Sequence, residues 1–453
     1  MSSIPSMRGL PVLGETHRLM FDPIQLFLEA RRTHGDVVQV PFGRVAKLAN
    51  LPPHMYVFFH PDDVQEIFSR ERRVHRELLR QLLGTGLFIN QTGELWRRQR
   101  RMLQPSFHHS SVGRMVDTLT ASCAAALEER WAPRLRSGEP FDIAEEMKQL
   151  TVRSMLRLVF GKDLGDQAEP LAEALSFAVD YIDKQLFVYV KPPRSWPTRE
   201  NHHYQRAMEK LVGFSRELIQ RRKAGGGSPG EDLLAQFMAA RDTQGEPMSD
   251  KELLDEVLST FIAGTETTGT SLTWTAYLLA SHPEWEERLR AETAAALGSR
   301  TPGVADLEKL GLARRAFQEA IRLYPPAWAM IRFLEQPREF RGVRIPEKSR
   351  VMVSPYVTHR HPDFWEDAER FDPDRFTPER SVGRPRFAYF PFGGGGHQCI
   401  GMELATVEAQ LILTMIAQRY RLSLRGGPQR IRARPAIALA PVPVPRLQVT
   451  PLA

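Results

Sequence analysis

Cysteine is almost missing from this chain: 453 residues contain two, Cys123 and Cys399. So few exclude a disulfide framework and a zinc centre built from several thiolates. They fit a reducing compartment, so a cytoplasmic location is expected. Long hydrophobic runs are missing too. No stretch approaches the length of a membrane-spanning helix, and Met1–Glu15 lacks the charged-then-apolar pattern of a leader, so no integral membrane association is expected. Charge of one sign does not dominate either. The formal net charge is +7, but arginine and glutamate interleave along predicted helices and no aromatic-basic module stands out, which argues against nucleic acid as a partner.

Apolar material for a large core is present, 42% hydrophobic against 25% charged. The chain reads as mainly α with a minor β portion. Residues from about 70 to 330 run helix after helix, and β character is confined to about 35–60, 333–357 and 431–450. The breaks at Lys191–Pro197, Gly225–Gly230 and Asp242–Pro247 are too short for independent linkers, so residues 1–453 are expected to share one core. A short helix is predicted over Ile24–His34 and strands over Asp36–Pro41 and Met55–His60. A long helix should run from Ser249–Asp250, an N-cap pair completed by Glu252, to about Ala280. Phe340–Ile345 and Arg350–Val353 suggest a hairpin around Pro346, and the tail from Pro441 an edge strand or loop. Cys123, in an Ala-rich helical stretch, is expected to be a small buried hydrophobe.

Cys399 has a different setting, Phe392-Gly393-Gly394-Gly395-Gly396-His397-Gln398-Cys399-Ile400-Gly401. So bare a loop lets backbone approach a ligand closely and lets N–H groups point at one sulfur, which stabilises its thiolate. A lone thiolate suits the axial position of a haem iron. The plain alternative is a surface turn carrying a free cysteine. Within the long helix, Ala263-Gly264-Thr265-Glu266-Thr267-Thr268 gathers weak helix formers, and such breaches of local rules collect at functional sites. Gly264 leaves room for a flat ligand, the threonine hydroxyls suit a local bulge, and Glu266 beside Thr267 offers an acid and a hydroxyl for moving protons. A small-residue helix-packing patch is the alternative. Glu319 and Arg322 pair on one helix face, Tyr324-Pro325-Pro326 stops that helix, and Arg332 follows in an extended segment. Ala368-Glu369-Arg370-Phe371 adds an arginine in a proline-rich meander. Trp96 and Arg100 share a helix face, with Arg97, Arg98 and Arg101 on the others.

In this order, from about Pro11 to near Pro445, these segments resemble the cytochrome P-450 family. The resemblance implies that family's fold, a triangular helical body with a long central helix over haem and small β-sheets, as a single haem-thiolate monooxygenase domain. It implies haem b (iron protoporphyrin IX) with Cys399 as axial thiolate and metal ligand, and Ala263, Gly264, Phe392, Gly393, Gly395 and Gly401 against the cofactor. Trp96, Arg100, Arg332 and His397 take the positions that hold the propionates. His397 stands where the family most often has arginine, so its charge depends on pH. Glu266 and Thr267 match the catalytic acid–alcohol pair, and Glu319, Arg322 and Arg370 match a buried structural triad that supports the haem loop.

The implied reaction inserts one oxygen atom of dioxygen into a hydrophobic small molecule: a terpenoid, fatty acid, steroid-like compound or polyketide. Electrons are expected from a separate ferredoxin or flavodoxin with its NAD(P)H reductase, and the protein is expected to be a monomer. Arg97, Arg98 and Arg101 would meet that acidic partner, or are simply a solvated face. The implied pocket is apolar: Leu87, Phe88, Ile89, Phe261, Ile262, Ala263, Ala327, Trp328, Met330, Ile437 and Leu439, with Phe88 overhanging the haem. Gln185–Tyr204, with Phe187, Tyr189 and Trp196, matches a mobile lid. Two other readings remain, a haem-thiolate peroxygenase or isomerase and a non-catalytic haem or ligand sensor. The Glu266–Thr267 pair argues against both.

Overall fold

Period-two alternation lets the early strands bury both of their faces. In the computed structural model, which describes residues 4–44, 52–70, 84–89, 93–137, 141–187, 196–225 and 232–452, Val37–Pro41 pairs antiparallel with His54–Phe58, Val38 opposite Val57. His54–Phe58 pairs parallel with Arg350–Val353, which pairs antiparallel with Met330–Phe333. On one face Val38, Val40, Met55, Val57 and Met352 pack with Leu26, Phe27 and Ala30 of the Pro23–His34 helix. On the other, Val37, Tyr56, Phe58, Val351 and Val353 pack with Ile67 and Phe68 of the Pro61–Arg70 helix and with Phe340, Phe387 and Phe390. All of this lies in the first of two compact units, Met1–His75 with Glu319–Cys399; the second is Arg76–Gln318 with Ile400–Ala453.

The expected hairpin around Pro346 does not form. Arg338–Phe340 pairs instead with Val343–Ile345, turning at Arg341 and Gly342, whose φ values of 49° and 76° are those a two-residue hairpin turn favours. Pro346, lacking an N–H, ends that ladder, and Arg350–Val353 joins the large sheet.

Helices build the second unit. The long helix, Asp250–Ser281, is 32 residues and opens with a capping box: the Ser249 side chain accepts the Glu252 N–H while Glu252 caps back. It crosses the Ile143–Phe160 helix closely at Gly269, where a Cβ would stand 3.1 Å from Thr151 Oγ1 and 3.2 Å from Lys148 Cα. Trp274 Nε1 donates to the Leu439 carbonyl at 2.6 Å and ties the C-terminal region to the same helix. That region is strand rather than loop: Arg446–Pro451 lies between Phe141–Asp142 and Tyr420–Leu424, and Ala440–Val442 pairs with Arg432–Arg434. Cys123 is buried as expected, and burial pushes its thiol up to about 12. Among the described residues no helix is long and apolar enough to cross a membrane. Most of the expected breaks at 191–197 and 225–230 lie outside the described residues, whereas 242–247 forms the turn that leads into the long helix.

Candidate active site

In the first unit the glycine-rich loop rests on a floor of aromatic rings. Phe68, Phe387 and Phe390 pack on one another with centroids 5.8, 5.7 and 6.3 Å apart. The loop backbone presses on that floor, since a Cβ on Gly394 would come 2.4 Å from the Phe387 ring and one on Gly395 2.0 Å from the Phe68 carbonyl oxygen. Gly393 and Gly395 also have φ of 70° and 66°, which disfavours a side chain. The bareness of Gly394 and Gly395 therefore serves packing within the protein. The Gly393 N–H donates to Phe390 O and the Cys399 N–H to Phe392 O, each at 2.9 Å, closing the loop. Cys399 emerges from it exposed and in no disulfide.

Arg332, on the Met330–Phe333 strand, is 6% exposed, and among the described residues no carboxylate reaches it. Its Nη1 donates to the adjacent Ile331 carbonyl at 2.9 Å, its guanidinium carbon stands 5.0 Å from the Phe68 ring centroid, and among the described residues its Nε has no partner. Burial pushes its pKa down to about 10. A buried guanidinium without an anion is costly, and the carboxylates of a haem fit that need. His397, in the same loop, is half-buried.

Glu319 and Arg322 are both fully buried and form a bidentate pair, Nε to Oε2 at 2.6 Å and Nη2 to Oε1 at 2.8 Å. Arg322 Nη1 also donates to the carbonyls of His359 at 2.9 Å and Ala368 at 2.8 Å. The third arginine is not Arg370. Arg370 is exposed and offers only its carbonyl to Arg322 Nη2, at 3.3 Å, whereas Arg375 brings Nε to 3.4 Å from Glu319 Oε1. The Asp372 N–H, donating to Glu319 Oε1 at 3.0 Å, fixes the turn that swings Arg375 inward. His359 Nε2 accepts the Phe390 N–H at 2.9 Å, so the pair is linked to the segment entering the cysteine loop. The sequence does hold a signal for Arg375, since Arg375-Phe376 repeats the Arg370-Phe371 pair five residues later.

In the second unit the long helix is buried on nearly every side, yet Ala263, Gly264, Glu266, Thr267 and Thr270 stay half-exposed. Ala263, Thr267 and Thr270 share one face. Thr267 Oγ1 donates to Ala263 O at 2.8 Å, and Thr270 Oγ1 donates to Glu266 Oε1 at 3.4 Å. The expected bulge is not there: Thr265 and Ser271 also bond the carbonyl four residues back, within an uninterrupted α-helix. On its Cβ side Gly264 lies against Met155, whose methyl would stand 2.9 Å from a Cβ, so this glycine lets the neighbouring helix pack close.

Trp96 and Arg100, on the Gly93–Leu103 helix, are half-buried, Trp96 against the core and Arg100 Nε donating to Gln104 Oε1 at 3.3 Å. Arg97 and Arg101 are exposed. Arg98 is not available to a partner. It donates to Asp242 at 2.7 Å, Glu252 at 2.6 Å and Pro247 O at 3.0 Å, because it faces the turn before the long helix.

Of the expected pocket residues in this unit, Leu87, Ile89 and Ile262 are buried and Phe88 and Ile437 half-buried. Phe261 belongs to the core, edge-on to Phe160 at 5.3 Å, and Leu439 is likewise fully buried. In the first unit Ala327, Trp328 and Met330 are half-exposed, with Trp328 stacked on Phe27 at 6.2 Å. Tyr189 lies outside the described residues, and Trp196 is exposed. Three residues with polar contacts to the Phe88 loop, Asp255, Glu256 and Ser259, had no local signal in the sequence.

Three comparisons bear on this arrangement. The cytochrome P450 family model matches residues 4–446. Cyclooctatin synthase of Streptomyces melanosporofaciens is 34% identical over 443 residues, 96% of this chain and 93% of that protein. Pentalenene oxygenase of Streptomyces avermitilis is 32% identical over 446 residues, 97% and 94% of the two chains. Among solved structures, the cytochrome P450DA heme domain superposes with a TM-score of 0.85 at 26% identity, covering 100% of this chain and 98% of that one.

Proposed function

Because the chain belongs to the cytochrome P450 family, we infer that Cys399 is the axial thiolate of its haem and that Arg332, His397, Trp96 and Arg100 hold the propionates. The protein is a haem-dependent monooxygenase that acts on a hydrophobic substrate with dioxygen and electrons from a redox partner. The observation that carries the site assignment is an exposed thiol outside any disulfide in the same unit as a buried guanidinium that no carboxylate reaches among the described residues: a ligand for iron and a cation for a porphyrin acid. Bound there, haem supplies the reductive activation of dioxygen and the transfer of one oxygen atom, aided by electron donation from the thiolate. The Glu319–Arg322–Arg375 cluster positions the segment that leads into the cysteine loop.

Thr267 and Glu266 manage protons. The Thr267 hydroxyl proton rests on the Ala263 carbonyl and must swing away from it to be delivered, while Glu266 Oε1 accepts from Thr270. Replacing Thr267 with alanine is expected to leave NAD(P)H consumption running while product falls and hydrogen peroxide appears. Full coupling in Thr267→Ala would remove the relay.

A terpenoid is the substrate class that the site supports best. The relatives are named for cyclooctatin, cyclooctat-9-en-7-ol and pentalenene, and Leu87, Phe88, Ile262 and Ile437 offer apolar side chains. Exposed Arg97 and Arg101 fit an acidic ferredoxin or flavodoxin as electron donor. The scarcity of cysteine supports a cytoplasmic setting, and we read the protein there as a monomer.

A further inference from the structure

The loop that carries Phe88 is fastened to the first half of the long helix by side chains that precede the Ala263–Thr268 segment. Asp255 Oδ2 accepts the Thr85 N–H at 3.0 Å and the Thr85 hydroxyl at 2.9 Å. Glu256 Oε2 accepts the Leu87 N–H at 2.9 Å, and Ser259 Oγ accepts the Phe88 N–H at 3.1 Å. From the Gly93–Leu103 helix, Gln99 Nε2 donates to Thr85 O at 2.9 Å. The loop lies tight on the helix. A Cβ on Gly84 would meet the Asp255 carboxylate at 2.5 Å, and one on Gly86 the Asp255 carbonyl oxygen at 2.5 Å. Loop amides that no regular element satisfies are thus answered by one stretch of helix.

We propose that Asp255, Glu256 and Ser259 form a clasp that holds the 84–89 loop on the long helix and so sets where Phe88 stands against the substrate. Glu256 is then a positioning residue for substrate selection, which rests on the reading of Phe88 as a pocket residue.

Glu256 is the member able to release. It is 1% exposed, and among the described residues its Oε1 has no partner. Burial, joined by the charges of Asp255 and Glu252, pushes its pKa up to about 8, against the Leu87 N–H, which favours the ionised form. The nearby cations are committed elsewhere, Lys251 to Asp255 and Arg98 to Glu252, each at 2.6 Å. An open loop returns the carboxyl to water and to its ordinary pKa. Opening therefore becomes easier as pH rises, by up to about tenfold per unit, until about pH 8.

Amide hydrogen exchange in the haem-loaded protein tests the clasp, with 4-phenylimidazole against imidazole as the spectroscopic probe of the pocket. Glu256→Ala is expected to speed exchange at Leu87 and Phe88 about tenfold or more, with the Ile143–Phe160 helix unchanged. It should also shift the ratio of the two imidazole affinities in the direction that Phe88→Ala does. Glu256→Gln, which keeps an acceptor oxygen, should retain slow exchange at neutral pH and lose the rise toward alkaline pH, after correction for the intrinsic rate. If Glu256→Ala fails to fold, Ser259→Ala carries the same prediction for the Phe88 amide. Unchanged exchange overturns the clasp. Faster exchange with an unchanged probe ratio, where Phe88→Ala does shift it, overturns the positioning role. No shift in Phe88→Ala is instead the failure of the pocket reading.

Discussion

Arg375 reaches Glu319 at 3.4 Å, whereas Arg370, a few residues earlier, is exposed and contributes only its carbonyl. Substituting the two arginines therefore has different consequences. Arg375→Ala leaves Glu319 with one cation fewer in a buried setting and is expected to cost about 1–3 kcal/mol, read as a lower urea midpoint and weaker haem retention. Arg370→Ala keeps the backbone contact and should stay within about 0.5 kcal/mol. Equal effects, or the reverse order, would return Arg370 to the cluster. The Glu319–Arg322 pair was legible because three-residue spacing on a helix dictates contact. Its third member was not, since two Arg-Phe pairs stand in one meander and only the Asp372 turn decides which faces inward. The packing contact of Gly264 was not legible for a similar reason. Whether a bare Cα meets a ligand or Met155 depends on the neighbouring helix, about which the local sequence says nothing.

At the scale of elements, the long helix was legible nearly to the residue, because its capping box and unbroken apolar pattern are local signals. The hairpin was not, since Pro346 and the Arg341-Gly342 pair are both local turn signals and only strand pairing decides between them. Two helices carry further tests. On the Gly93–Leu103 helix, Arg98 is occupied internally and Arg97 and Arg101 are free to face a partner's acids. Reversing the charge at Arg97 and Arg101 should slow reduction by an acidic ferredoxin steeply at low salt and little at high salt; a rate that does not change rules out docking there. On the Met402–Arg419 helix, Glu408 is 1% exposed, and burial pushes its pKa up to about 8. The unfolded carboxyl ionises near 4.5, so between 4.5 and about 8 the native state holds a proton that the unfolded state has lost. Stability then falls as pH rises, by up to about 1.4 kcal/mol per unit. Glu408→Gln should flatten urea-unfolding stability against pH by one proton, and an unaltered slope would mean that Glu408 is already ionised.

For the whole molecule, the order of five short segments along 453 residues was enough to mark the family, though most of them are weak alone. The proposed site chemistry rests on a lone thiolate, an acid–alcohol pair and scattered arginines, each of which answers a demand of haem. The clasp on the Phe88 loop was not legible, because Glu256 and Leu87 meet across 169 positions of sequence. The central claim is thiolate ligation by Cys399, and the carbon monoxide difference spectrum of the reduced protein tests it most directly. The strongly red-shifted Soret band of a thiolate-ligated ferrous haem, present in the wild type and lost in Cys399→Ser, is the predicted result. A band at the ordinary haem position in the wild type, or the red-shifted band persisting in Cys399→Ser, would contradict it.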